Sequence, residues 1–131
     1  MKKPNLKDVV KPTNQNLPNK GALIGYKKVY TDGNRVGREV ILTLYIPKEA
    51  KRLQPNKDTC KCRADKVYVL SAEYSNSKDK VIEKTFFPWS ISYKFTWELN
   101  KWHEQKVDRV DNDCGPGLHF WLTKKRAKNW S

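Results

Sequence analysis

Long apolar stretches are what this chain most lacks. Its longest run, residues 40–46, is seven residues with a threonine inside it, whereas a helix that crosses a bilayer needs about 20. No membrane partner is therefore expected. The first twenty residues hold no apolar block of the kind a secretory leader carries, so a secreted protein is not expected either. Cysteine is scarce and odd in number, at three. Cys60 and Cys62 share a face of any extended strand and are too close to pair comfortably, so reduced thiols and an intracellular setting follow. Acidic residues are few: fourteen Asp and Glu stand against twenty-seven Lys and Arg, a net charge of +13. Such an excess attracts polyanions, whether nucleic acid, acidic protein surfaces or anionic lipid.

What is present suits one domain. A chain of 131 residues can bury a single core without disulfides or metal, and five Trp, six Tyr and four Phe supply large buried areas. No repeat or low-complexity tract interrupts it. Residues 1–20, with three prolines, four asparagines and five lysines, read as a flexible basic arm. Residues 21–131 read as the folded domain.

Periodicity assigns the strands. Residues 22–30 form a first one, ending in a turn through Thr31, Asp32, Gly33 and Asn34. Residues 38–46 form the clearest: Val40, Leu42, Leu44 and Ile46 face one way, and Ile41, Thr43 and Tyr45 the other. After Pro47, residues 48–53 can make one or two helical turns, followed by a loop at 54–58. A third strand is expected over residues 60–74, then two more over 81–87 and 91–99, broken at Pro88. Residues 100–113 are polar and read as loop. The last strand, 117–122, sends Leu118, Phe120 and Leu122 to one face and His119 and Trp121 to the other. Thr123 then caps a short basic helix over 124–130. The expected class is α+β or mostly β, with about six strands and one or two short helices.

Site chemistry can concentrate in only one place. Cys60 and Cys62 form one short stretch, and Cys114 and His119 lie five residues apart across a glycine turn in another. If the third and last strands are neighbours, Cys62, Cys114 and His119 meet at one sheet end. A zinc site would take Cys60, Cys62, Cys114 and His119, but C-x-C is tighter than the usual C-x2-C to C-x4-C knuckle. No metal or cofactor is expected, and buried thiols are the simpler account. A Cys114 nucleophile with His119 as base lacks an evident third member or oxyanion hole. Lys2, Lys3 and Lys7 in the arm and Lys124, Lys125, Arg126 and Lys128 near the end can neutralise an acidic partner or phosphates. Tyr26, Tyr30, Trp97, Trp102 and Trp121 offer stacking surfaces if they are exposed.

Three blocks carry a resemblance. They are Gly25-Tyr26-Lys27 with residues 40–52; residues 61–70; and Cys114-Gly115-Pro116-Gly117-Leu118-His119-Phe120-Trp121-Leu122-Thr123 with Ala127. Together they resemble a small domain of unknown function found in bacteriophages and large nucleocytoplasmic DNA viruses, sometimes attached to pentapeptide repeats. The likeness implies a viral origin and brings no activity with it. Its pattern matches Cys62, Cys114 and His119 and makes Cys60 an extra. Residues 115–120 with Ala127 are also similar to the Gly-x-Gly-Ile-Tyr-Phe stretch of poly-ADP-ribose polymerase-like transferases, without the matching His-Gly or catalytic Glu.

The functional expectation is a non-enzymatic viral binding or assembly module. Its partner would be a viral or host protein or another copy of the chain, in the host cytoplasm or nucleus or inside the virion. A nucleic-acid-binding protein is the alternative, and an enzyme with a Cys/His site or a transferase-like fold comes after both.

Overall fold

Alternation of apolar and polar side chains produces a mostly β structure here because nearly every segment that alternates finds a strand to pair with. The computed structural model describes residues 3–10, 17–18, 20–33, 37–56, 61–88, 95–107 and 117–129. Its strands are β1 (Leu23–Tyr30), β2 (Glu39–Ile46), β3 (Arg52–Asn56), β4 (Lys61–Ala64), β5 (Lys66–Tyr74), β6 (Thr85–Phe86), β7 (Trp97–Glu98), β8 (Trp102–Glu104) and β9 (Leu118–Trp121). One helix follows, α1 (Lys124–Asn129). Seven strands form an antiparallel sheet in the order β3-β4-β9-β1-β2-β5-β8, and β6 and β7 form a separate pair.

Connectivity forces that sheet to curl. Strands β4 and β5 are joined by the single residue Asp65, yet β9, β1 and β2 lie between them in the sheet. In a flat sheet those four inter-strand steps would span about 19 Å, while two peptide units reach about 7 Å. The five strands β4, β9, β1, β2 and β5 therefore wrap into a small barrel, closed by covalent continuity at Asp65. Two features assist. The register of β2 against β5 shifts between Thr43 and Leu44, a bulge that bends the pair. Gly25 supplies room inside, because a Cβ there would strike the Phe120 ring and come 3.2 Å from Ile46 Cδ1.

The register defines the two faces. Leu23, Gly25 and Val29 of β1 oppose Ile46, Leu44 and Val40 of β2, and Cys62 and Ala64 of β4 oppose Phe120 and Leu118 of β9. All are buried, and their apolar side chains fill the barrel interior. Phe86 and Trp97, paired across β6 and β7, join the same core. Backbone bonds in both directions between Tyr30 and Phe87, each 2.9 Å, tie that pair to the end of β1. A second, smaller cluster of Ala22, Tyr45 and Tyr68, with Val9, Ile24, Leu70 and Trp102 against it, lies on the outer face.

Strand β2 sits between β1 and β5, with Val40, Leu42, Leu44 and Ile46 fully buried, as its alternation predicts. Ile41 and Tyr45 on its other face are buried too, because α1 and the N-terminal segment cover the outside. In α1, Thr123 Oγ1 accepts from Arg126 N at 3.2 Å, the predicted cap, and Ala127 is buried.

Several sequence expectations need correction. Residues 48–53 do not make helical turns; a single turn closed by Ala50 N on Pro47 O at 3.0 Å leads directly into β3, because β4 offers it a ladder. The third strand is interrupted at Asp65, the single residue between β4 and β5 at which the barrel closes. Of residues 81–87 and 91–99, only the short β6 and β7 pair; residues 81–84 form no strand, and 91–94 lie outside the described residues. The polar segment read as loop contains β8, which pairs with β5. The described strands number nine, not about six; of the expected helix, Lys124–Asn129 is helical and Trp130 lies outside the described residues.

Described parts of the N-terminal segment make contacts with the barrel. Leu6–Asp8 form a 3-10 turn capped by Asn5. The Tyr45 hydroxyl donates to the Asp8 carboxylate, with oxygens at 3.1 and 3.2 Å. Val10 N donates to Ala22 O at 2.7 Å.

Candidate functional site

Strands β4 and β9 bring the two chemistry-bearing stretches side by side, in the register Lys61↔Trp121, Cys62↔Phe120, Arg63↔His119 and Ala64↔Leu118. Cys62 and His119 are thus on adjacent strands but on opposite faces. Period-two geometry sends Cys62 into the core with Phe120, and His119 to the outer face with Arg63. Cys60 and Cys114 lie outside the described residues. Among the described residues no three His, Cys, Asp or Glu side chains gather closely enough to hold a metal ion.

Arg63, which sequence reasoning passed over, is the most completely enclosed polar side chain among the described residues, at 1% exposure. Gly117 sits against it at φ +128°, where a Cβ would lie 3.3 Å from Arg63 Cβ and 2.8 Å from Val107 Cγ2. A side chain would be strained and crowded there. A second arginine, Arg52, acts as a staple. Its Nη1 donates to Pro18 O and Gly21 O at 3.2 and 2.9 Å, and its Nη2 donates to Pro47 O at 2.7 Å. Desolvation lowers its pKa from the ordinary value, and the nearby Asp65 carboxylate acts in the opposite direction. Neither arginine has a signal in a single sequence, because a charge that will be buried looks like any surface charge until its partners are placed.

The other histidine, His103, points to the inner side with Val67, its β5 partner. Its Nε2 accepts from Glu98 N at 3.0 Å. Its ring packs beside Phe95 and Trp97, at centroid distances of 5.4 and 5.7 Å. The ring is thus positioned beside the β7 aromatics, with Lys27 Nζ 5.6 Å from the Trp97 centroid.

The basic groups remain outside. Lys3 and Lys7 are exposed, and Lys2 lies outside the described residues. On α1, Lys125 and Lys128 are exposed, and Arg126 is half-buried. Lys124 pairs with Glu73 at 2.5 Å and lies 5.9 Å from the Tyr26 centroid. The hydrogen bond to Glu73 raises the Lys124 pKa. Lys28 Nζ donates to Lys128 O at 3.1 Å, placing a cation at the carbonyl end of the helix where the dipole favours it. The aromatics divide differently. Tyr30, Trp97 and Trp121 are buried, whereas Tyr26 is partly exposed. Trp102 is also partly exposed, edge-on to Tyr45 and Tyr68 with Lys66 Nζ 4.9 Å from its centroid. At the Asp65 bend a shallow groove of about 440 Å³ is lined by Glu49, Asp65, Lys66, Glu104, Gln105 and Lys106, with charges of both signs.

A curled antiparallel sheet, the enclosed Cys62 and Arg63 and the outward lysines define a class: a small basic β-barrel domain. Within that class the chain belongs to a family of unknown function, DUF5758, which matches it over residues 13–127. No curated protein and no solved structure matches it. Among the described residues, no helix is long and apolar enough to cross a membrane.

Proposed function

We propose that this protein is a non-enzymatic binding and assembly module of a phage or large DNA virus, attaching to an acidic protein surface through its basic exterior and N-terminal segment. The observation that carries this reading is the division of side chains. The lysines of α1 stand outside, while Tyr30, Trp97 and Trp121 are spent in the core. Stacking on single-stranded nucleic acid needs exposed aromatic faces, and a helix of six residues presents little to a duplex groove. Tyr26 and Trp102 are only partly exposed, and charge with so little stacking surface favours docking onto acidic protein. The viral setting rests on the sequence resemblance.

Fluorescence anisotropy of labelled single-stranded and duplex DNA, and of an acidic protein partner captured from infected cells, tests this across a salt series. The reading expects specific partner binding weakened by the triple change Lys124→Glu, Lys125→Glu and Lys128→Glu. It also expects DNA binding that disappears at physiological salt. DNA binding that persists there, with a steep linear fall of log K against log salt, would replace this reading with nucleic-acid binding.

A further inference from the structure

We propose that residues 78–84 form a docking edge for an extended acidic peptide of a partner protein; this rests on the acidic-partner reading above and locates where that partner is read. The segment runs Lys78-Asp79-Lys80-Val81-Ile82-Glu83-Lys84 between β5 and β6. Its side chains alternate as in a strand: Lys80, Ile82 and Lys84 are exposed, while Val81 packs against the core and Glu83 accepts from the Tyr74 hydroxyl at 3.3 Å. Ile82, at 80% exposure, is the most exposed large apolar side chain among the described residues.

One exposed isoleucine is ordinary on a protein surface. What sets this one apart is the backbone beneath it. Among the described residues, no backbone group of residues 80–83 enters a hydrogen bond. The segment is nevertheless anchored at both ends, by Arg38 at 3.9 Å from Asp79 on one side and by the β6–β7 pair on the other. Between the bends at Asp79 and Lys84, a stretch held in place with alternating side chains and open N–H and C=O groups offers what strand addition uses. Main-chain bonds would supply affinity and the alternate side chains selectivity. Lysines two residues before and after Ile82 select a peptide with carboxylates flanking an apolar residue. A nucleic acid has phosphates but no amide ladder to pair with this edge.

The test uses the full chain and a fluorescein-labelled peptide of alternating Glu and Val. Comparison probes are the same peptide N-methylated at alternate amides and vesicles containing phosphatidylserine. Ile82→Asp should weaken peptide binding about tenfold or more, the loss of a buried isoleucine contact. N-methylation, which keeps every charge but blocks the ladder, should abolish binding. Because Ile82 is exposed, its replacement should leave the thermal melt unchanged; Lys80→Glu with Lys84→Glu is a second, independent variant with the same expected loss. Equal binding by the N-methylated peptide, or indifference to Ile82→Asp, overturns the docking edge. If peptide binding then depends on Lys125 and Lys128 instead, the acidic-partner reading stands alone. Ile82-dependent vesicle binding without peptide binding also overturns the edge, in favour of a lipid surface. No peptide binding at all removes both readings.

Discussion

Replacing Leu42 by alanine probes the barrel most directly. Leu42 is fully buried at the middle of β2, opposite Lys27 on β1 and Ala72 on β5. The change removes three carbons, worth about 0.8 kcal/mol each in transfer free energy. Around it the ring of strands is closed through Asp65, so the walls have little freedom to collapse. A residual cavity of roughly 60 Å³ adds about 1.5 kcal/mol at ~24 cal/mol per Å³. The expected cost is about 4 kcal/mol, inside the range of about 2–5 kcal/mol for such changes. Urea unfolding followed by tryptophan fluorescence should show a lower midpoint with an unchanged slope, the signature of lost stability rather than altered compactness. A cost below about 1 kcal/mol, a value typical of surface sites, would refute the placement of Leu42 in a closed interior.

Gly25→Ala should destabilise by about 1–3 kcal/mol through overpacking against Phe120, read in the same unfolding assay, and a second change of Phe120→Leu should recover part of the loss. The Tyr45 hydroxyl is pushed up to about 12 by burial first and then by its hydrogen bond to Asp8. A raised pKa favours the neutral phenol in the folded state, so this contribution is complete below about pH 10, the unfolded value, and is lost as pH rises through about 12. Ultraviolet titration should show a late-ionising component near pH 12 that is absent in Tyr45→Phe; a titration curve unchanged by Tyr45→Phe in that range would refute the burial of this hydroxyl against Asp8. Thr123→Ala should cost about 1 kcal/mol through the lost cap, with faster amide exchange at Arg126.

Local alternation was enough to read β2, because four apolar residues at period two need cover whatever lies beside them. It also placed the two faces of β9 and the cap at Thr123, where a hydroxyl precedes a helical run. It brought the Cys62 and His119 strands together as well, since both stretches open strands. It did not give how the faces of the two strands match: register depends on which residue opposes which, and a shift of one residue reverses every side chain. Only the pairing of Cys62 with Phe120 puts the thiol inside and the imidazole outside. Strand β8 was hidden for a related reason. Trp102-His103-Glu104 has no apolar pattern of its own and becomes a strand because β5 presents an edge to it. Barrel closure at Asp65 and burial of Arg63 were also beyond local reading. Both depend on segments distant in sequence, and the free energy that encloses a charge or bends a strand comes from partners that only the tertiary structure supplies.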